Sequence, residues 1–340
     1  KKKNDCSCIS FELVVRKKVK RCNININNLE KRVINALRSN AFDELNKINF
    51  NSDENYIFTG TGGSFSPSVF SSIIINKLYG SNTYFLLPRE ICFRNNKNID
   101  KVFLFSYSGT TNDLIYGTEE FLNVNKYIIT KGEKKNIVLK TKVSKNNIIS
   151  YKTPSNKGRE RGFLSFEGAI APASIFLKYY LEKINNNIDI EEFLKKSLFK
   201  WNTYFEKEFK KEEIKNMFKK GNNINIFTGD YTKSSSYDME SKFIESGIVN
   251  VLIHENLNNK NSIYLKSSKT STYEKEIINY LKDGNNLLIE SDYNDILCEY
   301  DLLIASQLLI YYVGKTLDID VSKPSYSSNA MKLYFYKGNL

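Results

Sequence analysis

A chain of 340 residues is long for one domain, so two are expected, and it can bury a sizeable core. With 41% hydrophobic and 26% charged residues and no apolar run as long as a membrane span, the composition is that of a globular protein, expected in the cytoplasm. The formal charge of +12 suits an anionic partner, a nucleic acid or a small phosphorylated molecule; of the two densest basic stretches, Lys17 to Arg21 and Lys195 to Lys220, the second alternates with Glu as a solvated helix face does.

Residues 1–45 read as a lead-in: a strand-like Ile9 to Val15, then a helix over Leu29 to Leu45 with Leu29, Val33, Ile34, Leu37, Phe42 and Leu45 on its apolar side. From about Asn55 to Glu182 strands and helices alternate. The strands are expected at Tyr56 to Thr59, Thr83 to Leu87, Val102 to Ser106, Lys126 to Thr130 and Asn147 to Tyr151, and the helices at Pro67 to Tyr79, Thr111 to Leu122 and Glu167 to Ile184. This alternation implies a largely parallel sheet with right-handed crossovers, whose ligands bind beyond the carboxyl ends of the strands. Between Asn185 and Gly221, Leu194, Leu198, Trp201, Phe205 and Phe209 stand at helical spacing and are expected in packing. A second alternating region follows, with strands at Ile224 to Thr228, Asn261 to Leu265 and Asn286 to Glu290 and helices at Ser235 to Glu245 and Asp301 to Leu317. The five cysteines (Cys6, Cys8, Cys22, Cys92, Cys298) make no disulfide framework, and with one histidine a zinc site would need unusual ligands; no metal and no cofactor is expected.

Two of the strands run into hydroxyl-rich turns. Tyr56 to Ser66 reads Tyr-Ile-Phe-Thr-Gly-Thr-Gly-Gly-Ser-Phe-Ser, and Phe103 to Asp113 reads Phe-Leu-Phe-Ser-Tyr-Ser-Gly-Thr-Thr-Asn-Asp. An apolar, helix-like stretch follows each. The first N–H groups of a helix lack partners, the macrodipole adds positive charge, and Ser and Thr hydroxyls add donors, so the pair is expected to enclose one anion. Either turn alone also reads as a plain helix cap. Neither carries the Gly-Lys-Ser/Thr of a P-loop or the third glycine of a dinucleotide fingerprint.

Gly62-Gly63-Ser64 and Ser106-Tyr107-Ser108-Gly109-Thr110-Thr111 together resemble the two phosphate-binding loops of the sugar isomerase (SIS) domain, roughly Gly-x-Ser and Ser-x-Ser-Gly-x-Thr. Members of that family are doubly wound α/β proteins that isomerise, aminate, deaminate or sense phosphosugars. The resemblance implies that Ser64, Ser106, Ser108 and Thr111 hold a phosphate. A third element, a Glu followed five residues later by Ser or Thr beside the sugar, matches Glu160 and Ser165; the residues by themselves read equally as a polar loop capping a helix. The region from Asn223 looks like a second SIS domain. The expected organisation is therefore a lead-in over 1–45, a first doubly wound parallel-sheet SIS domain over 46–185 and a second over 186–340 with a C-terminal tail.

Isomerisation needs a base to move a proton between C1 and C2 of the open-chain sugar, usually a carboxylate whose pKa burial has raised. The resemblance places it on the helix Tyr237 to Glu245, with Glu245 the better candidate and Glu240 the other. It also implies a ring-opening His, but alignment from Glu255 puts that position on Asn259, and an amide cannot shuttle a proton; the sole histidine, His254, lies five residues earlier. The tail after Asp318-Ile319-Asp320 resembles the family's ending, in which a lysine reaches the open-chain carbonyl, a part open to Lys332 or Lys323. About sixty residues precede the first turn, too few for an amidotransferase domain, so no ammonia is expected from glutamine within this chain. The resemblance further implies a homodimer acting on a small phosphosugar, with no membrane. Three readings stay open: a phosphosugar isomerase or deaminase; a non-catalytic phosphosugar sensor, favoured by the displaced histidine; and a nucleic-acid binder, resting on charge alone.

Overall fold

The computed structural model describes residues 26–91, 98–121, 123–153, 160, 164–219, 221–229, 231–254, 261–269 and 285–321. The strand expected at Ile9 to Val15, the basic stretch Lys17 to Arg21, Cys6, Cys8, Cys22, Cys92, Asn259, Lys323 and Lys332 lie outside them.

Five strands form the first sheet: β1 (Asn55–Gly60), β2 (Asn82–Leu86), β3 (Lys101–Phe105), β4 (Asn125–Thr130) and β5 (Ile148–Ser150). Their order is β2-β1-β3-β4-β5, and all neighbours are parallel. Around them run α1 (Leu29–Leu37), α2 (Ala41–Asn46), α3 (Phe65–Tyr79), α4 (Pro88–Ile91), α5 (Asn112–Glu120), α6 (Lys134–Thr141) and α7 (Glu167–Lys183). Helices cover both faces, so strands read as apolar runs and β3 is buried along its whole length. Alternate residues still part company: Phe58, Phe103 and Phe105 join Phe70 of α3 and Phe176 of α7, whereas Ile57, Val102 and Leu104 join Leu114 of α5 and Ile137 of α6.

After α8 (Ile190–Glu208) and α9 (Glu212–Met217), a second sheet repeats the plan with β6 (Asn223–Phe227), β7 (Asn250–His254), β8 (Ser262–Lys266) and β9 (Asn286–Glu290), in the order β7-β6-β8-β9 and again all parallel. Its helices include α10 (Lys233–Ser246) and α11 (Asp295–Thr316). One continuous buried apolar cluster takes in both sheets, from Phe58 and Ile129 to Ile226, Ile263 and Leu287. By length and hydropathy α11 is able to cross a membrane, but 89% of its most apolar window is buried inside the protein.

In three places the helices differ from a plain reading of the sequence. The helix expected over Leu29 to Leu45 is two, because the Ser39 hydroxyl donates to the Ala36 carbonyl at 2.6 Å and accepts from the Ala41 N–H at 3.3 Å, closing α1 and opening α2. The region between Asn185 and Gly221 also divides, with Asp189 capping α8 through the N–H groups of Glu191 and Glu192. Helix α11 begins at Asp295, six residues before the expected Asp301, and its first turns carry Glu299, an acidic residue turned wholly inward.

Candidate functional site

In the first sheet β1 lies between β2 and β3, so the chain crosses one way after β1 and the other way after β2. A crevice opens at the carboxyl ends of strands where such a reversal occurs. The two hydroxyl-rich turns leave the sheet at this point: Gly60 pairs in register with Phe105, and Thr61 and Ser106 follow side by side. The Thr61 hydroxyl donates to the Asp113 carboxylate at 2.9 Å and ties the turns together.

The first turn, Gly62–Ser64, is a single 3-10 turn leading into α3. Ser64 stands at the N-cap of α3 without using its hydroxyl as a cap. The second turn is organised by its own side chains. Ser106 accepts the Gly109 N–H at 3.2 Å and lies 3.3 Å from the Thr111 hydroxyl, while Ser108 accepts the Thr110 N–H at 3.3 Å. Thr111 is the N-cap of α5, again with no side-chain cap bond. Gly109 takes φ +68, and a Cβ there would stand 2.5 Å from Ile137 Cδ1, so only glycine fits.

From the second half, α10 brings its last two turns against the first turn. Glu245 lies against Gly62 and accepts the Ser241 hydroxyl at 3.2 Å. The contact is so close that a Cβ on Gly62, at φ +55, would lie 2.2 Å from Glu245 Oε1. Burial raises the Glu245 pKa, against the opposing pull of Lys242, of the Ser241 hydrogen bond and of the Gly63 backbone. Glu240, on another face of the helix, is half-buried, and burial raises its pKa as well.

Two α10 residues at this place escape a reading of the sequence, Asp238 and Lys242. Both side chains are wholly buried and paired at 3.4 Å. Asp238 also accepts from Ser66 at 2.9 Å, from Gln307 at 2.6 Å and from Ser306. Lys242 donates to the Ser165 carbonyl at 3.1 Å and lies under Gly63. Asp238, Lys242 and Glu245 stand at i, i+4 and i+7, one face of a helix, and that spacing was the available signal.

Ser165 and Glu160 meet at the head of α7. The Ser165 hydroxyl donates to Glu160 Oε2 at 2.6 Å and accepts the Gly168 N–H at 2.9 Å, and the same Oε2 accepts the Glu167 N–H at 3.0 Å. Both side chains therefore cap α7 in the structure. The other Glu160 oxygen is buried with no partner among the described residues, and burial pushes the pKa of the carboxyl up to about 7. Behind it Glu167, fully buried, accepts from Lys131 at 2.7 Å, from Tyr107 at 3.0 Å and from Arg32 at 3.2 Å.

His254 ends β7, in register with Phe227. Among the described residues no group of three or more His, Cys, Asp or Glu side chains is placed to hold a metal.

No family model matches the sequence, and no curated protein matches it. Solved structures do, and they define the class: the chain has the α/β fold with parallel sheets found in phosphosugar isomerases and a phosphosugar deaminase. Among them, glucosamine-6-phosphate deaminase from Thermotoga maritima superposes with a TM-score of 0.70 at 16% identity, over 91% of this chain and 98% of that one. The C-terminal domain of glucosamine-fructose-6-phosphate aminotransferase from Francisella tularensis gives 0.60 at 15%, over 90% and 98%. Tagatose-6-phosphate ketose/aldose isomerase from Escherichia coli gives 0.57 at 13%, over 89% and 93%. At these identities the likeness is one of fold.

Proposed function

We propose that this chain is a double-SIS phosphosugar isomerase or deaminase, acting in the cytoplasm as a homodimer on a hexose 6-phosphate or amino-sugar 6-phosphate. The carrying observation is the carboxylate of Glu245 against Gly62 and Gly63, beside the crevice where the two hydroxyl turns meet. In this reading Ser64, Ser106, Ser108 and Thr111 hold the phosphate through neutral hydroxyl and backbone donors, which fix it without neutralising the base. Ser165 and Glu160 stand on the sugar side. Glu245 takes the proton from C2 of the open-chain aldose while the carbonyl oxygen gains one, and returning a proton to C1 of the resulting enediol as the 2-hydroxyl gives up its own yields the ketose. Lys242, paired with Asp238, favours the negative charge that develops nearby. His254 and Lys332 keep the ring-opening and carbonyl-reaching parts that the resemblance implies.

The test is Glu245→Gln. Turnover of fructose 6-phosphate or glucosamine 6-phosphate is expected to be lost with phosphosugar binding retained. Since the pKa of Glu245 is raised, turnover of the unaltered chain should fall on the acid side at a higher pH than an exposed glutamate would give. A second reading, a non-catalytic sensor, is favoured by Asn259 at the family's His position. It predicts saturable phosphosugar binding, no turnover, and a Glu245→Gln variant that behaves like the unaltered chain.

A further inference from the structure

Tyr107 is the middle residue of Ser106-Tyr107-Ser108, and its side chain turns to the head of α7. Its phenol has one donor and two acceptor sites, and all three are used: it donates to Glu167 Oε2 at 3.0 Å and accepts from Lys131 Nζ and from the Glu160 N–H, each at 3.3 Å. The ring lies against the head of α7, where a Cβ on Gly168 would come within 3.3 Å of its Cδ2. The main chain is held as well, since the Tyr107 carbonyl accepts the Lys131 N–H and the Thr130 hydroxyl, both at 3.3 Å.

From that phenol a continuous run of hydrogen bonds crosses to the second half of the molecule. Glu160, whose N–H Tyr107 accepts, holds the Ser165 hydroxyl at 2.6 Å; the Ser165 carbonyl accepts from Lys242 at 3.1 Å; and Lys242 lies under Gly63 on the helix that carries Glu245. The turn that would hold the phosphate and the groups that would face the sugar are thus joined through one side chain.

We propose that Tyr107 is a positioning residue, which sets the second turn at a fixed distance from Ser165 and Lys242 so that a phosphate and the sugar attached to it engage both at once. The proposal rests on the phosphosugar reading above. A free phosphate needs the turn alone, whereas a phosphosugar needs the spacing. Removing the phenol oxygen should therefore weaken the second ligand selectively.

The experiment is calorimetric titration of Tyr107→Phe, Ser165→Ala and the double variant with glucosamine 6-phosphate and, separately, with inorganic phosphate. Tyr107→Phe keeps the ring packed on α7 and leaves the Lys131–Glu167 pair in place, and its melting temperature checks that it folds. Each single variant is expected to bind glucosamine 6-phosphate about tenfold more weakly, the loss of roughly one hydrogen bond, with inorganic phosphate affinity within about twofold of the unaltered chain. The double variant should also lose about tenfold rather than about a hundredfold, because residues acting through one network are not additive. Equal weakening of both ligands, no weakening of either, or additive losses in the double variant would overturn the proposal. Should the unaltered chain bind neither ligand, the phosphosugar reading itself fails, and this inference with it. Should Tyr107→Phe not fold, Ser165→Ala alone must still separate the two ligands for the proposal to stand.

Discussion

Gly62 shows how a single missing methyl group shapes the site. Its backbone lies at φ +55, and the space a side chain would fill is occupied by the Glu245 carboxylate. Gly62→Ala is therefore expected to cost about 1–2 kcal/mol of stability from backbone strain and to push Glu245 away. The expected readout is a lower denaturant midpoint together with at least about tenfold weaker phosphosugar binding. Lys242 makes the complementary case. It is fully buried, and its amine is partnered by Asp238 and the Ser165 carbonyl. Lys242→Met leaves Asp238 with Ser66, Ser306 and Gln307 but without a counter-charge, and should destabilise the fold by about 3 kcal/mol in chemical denaturation.

At the scale of elements, helix ends do most of the organising. The head of α7 is capped by Ser165 and Glu160, and the first N–H groups of α10, from Lys233 and Ser234, are taken at 2.7 and 3.0 Å by Glu299 from α11. These caps reach across elements and hold the site's helices in place. By contrast Asp189 caps α8 locally, away from the two turns. Asp189→Ala should cost about 1 kcal/mol in urea denaturation and leave the thermal shift produced by a phosphosugar unchanged. A reduced ligand shift in that variant would mean that α8 takes part in the site.

For the molecule as a whole, the two buried acids Glu160 and Glu299 give a pH dependence of stability. Burial moves both up to about 7 from an ordinary 4.5. Between those values the native state holds protons that the unfolded chain has released, so this part of the stability is greatest at the acid end and declines as pH rises through about 7. Glu299→Gln should flatten that decline, measured as melting temperature against pH. An unchanged slope would show that Glu299 titrates alike in both states.

The parallel α/β alternation was legible because sheet strands buried on both faces are apolar runs, and Phe103 to Phe105 or Ile224 to Phe227 can be little else. The two turns were legible too, since Gly, Ser and Thr at a strand end have few other uses. Where polar residues serve packing, the pattern failed: Ser39 splits the lead-in helix, and Glu299 hides the start of α11 because its charge is spent on the N–H groups of another helix. The sequence by itself determined which segments become strand, turn and helix, since periodicity and turn chemistry act between neighbours in the chain. Only the tertiary structure decided that Glu245, Lys242, Ser165 and Tyr107 share one place, because hydrogen bonds such as those of Lys242 to Ser165 and Tyr107 to Glu167 join residues far apart in sequence, and no local pattern encodes which distant partner a buried polar group will find.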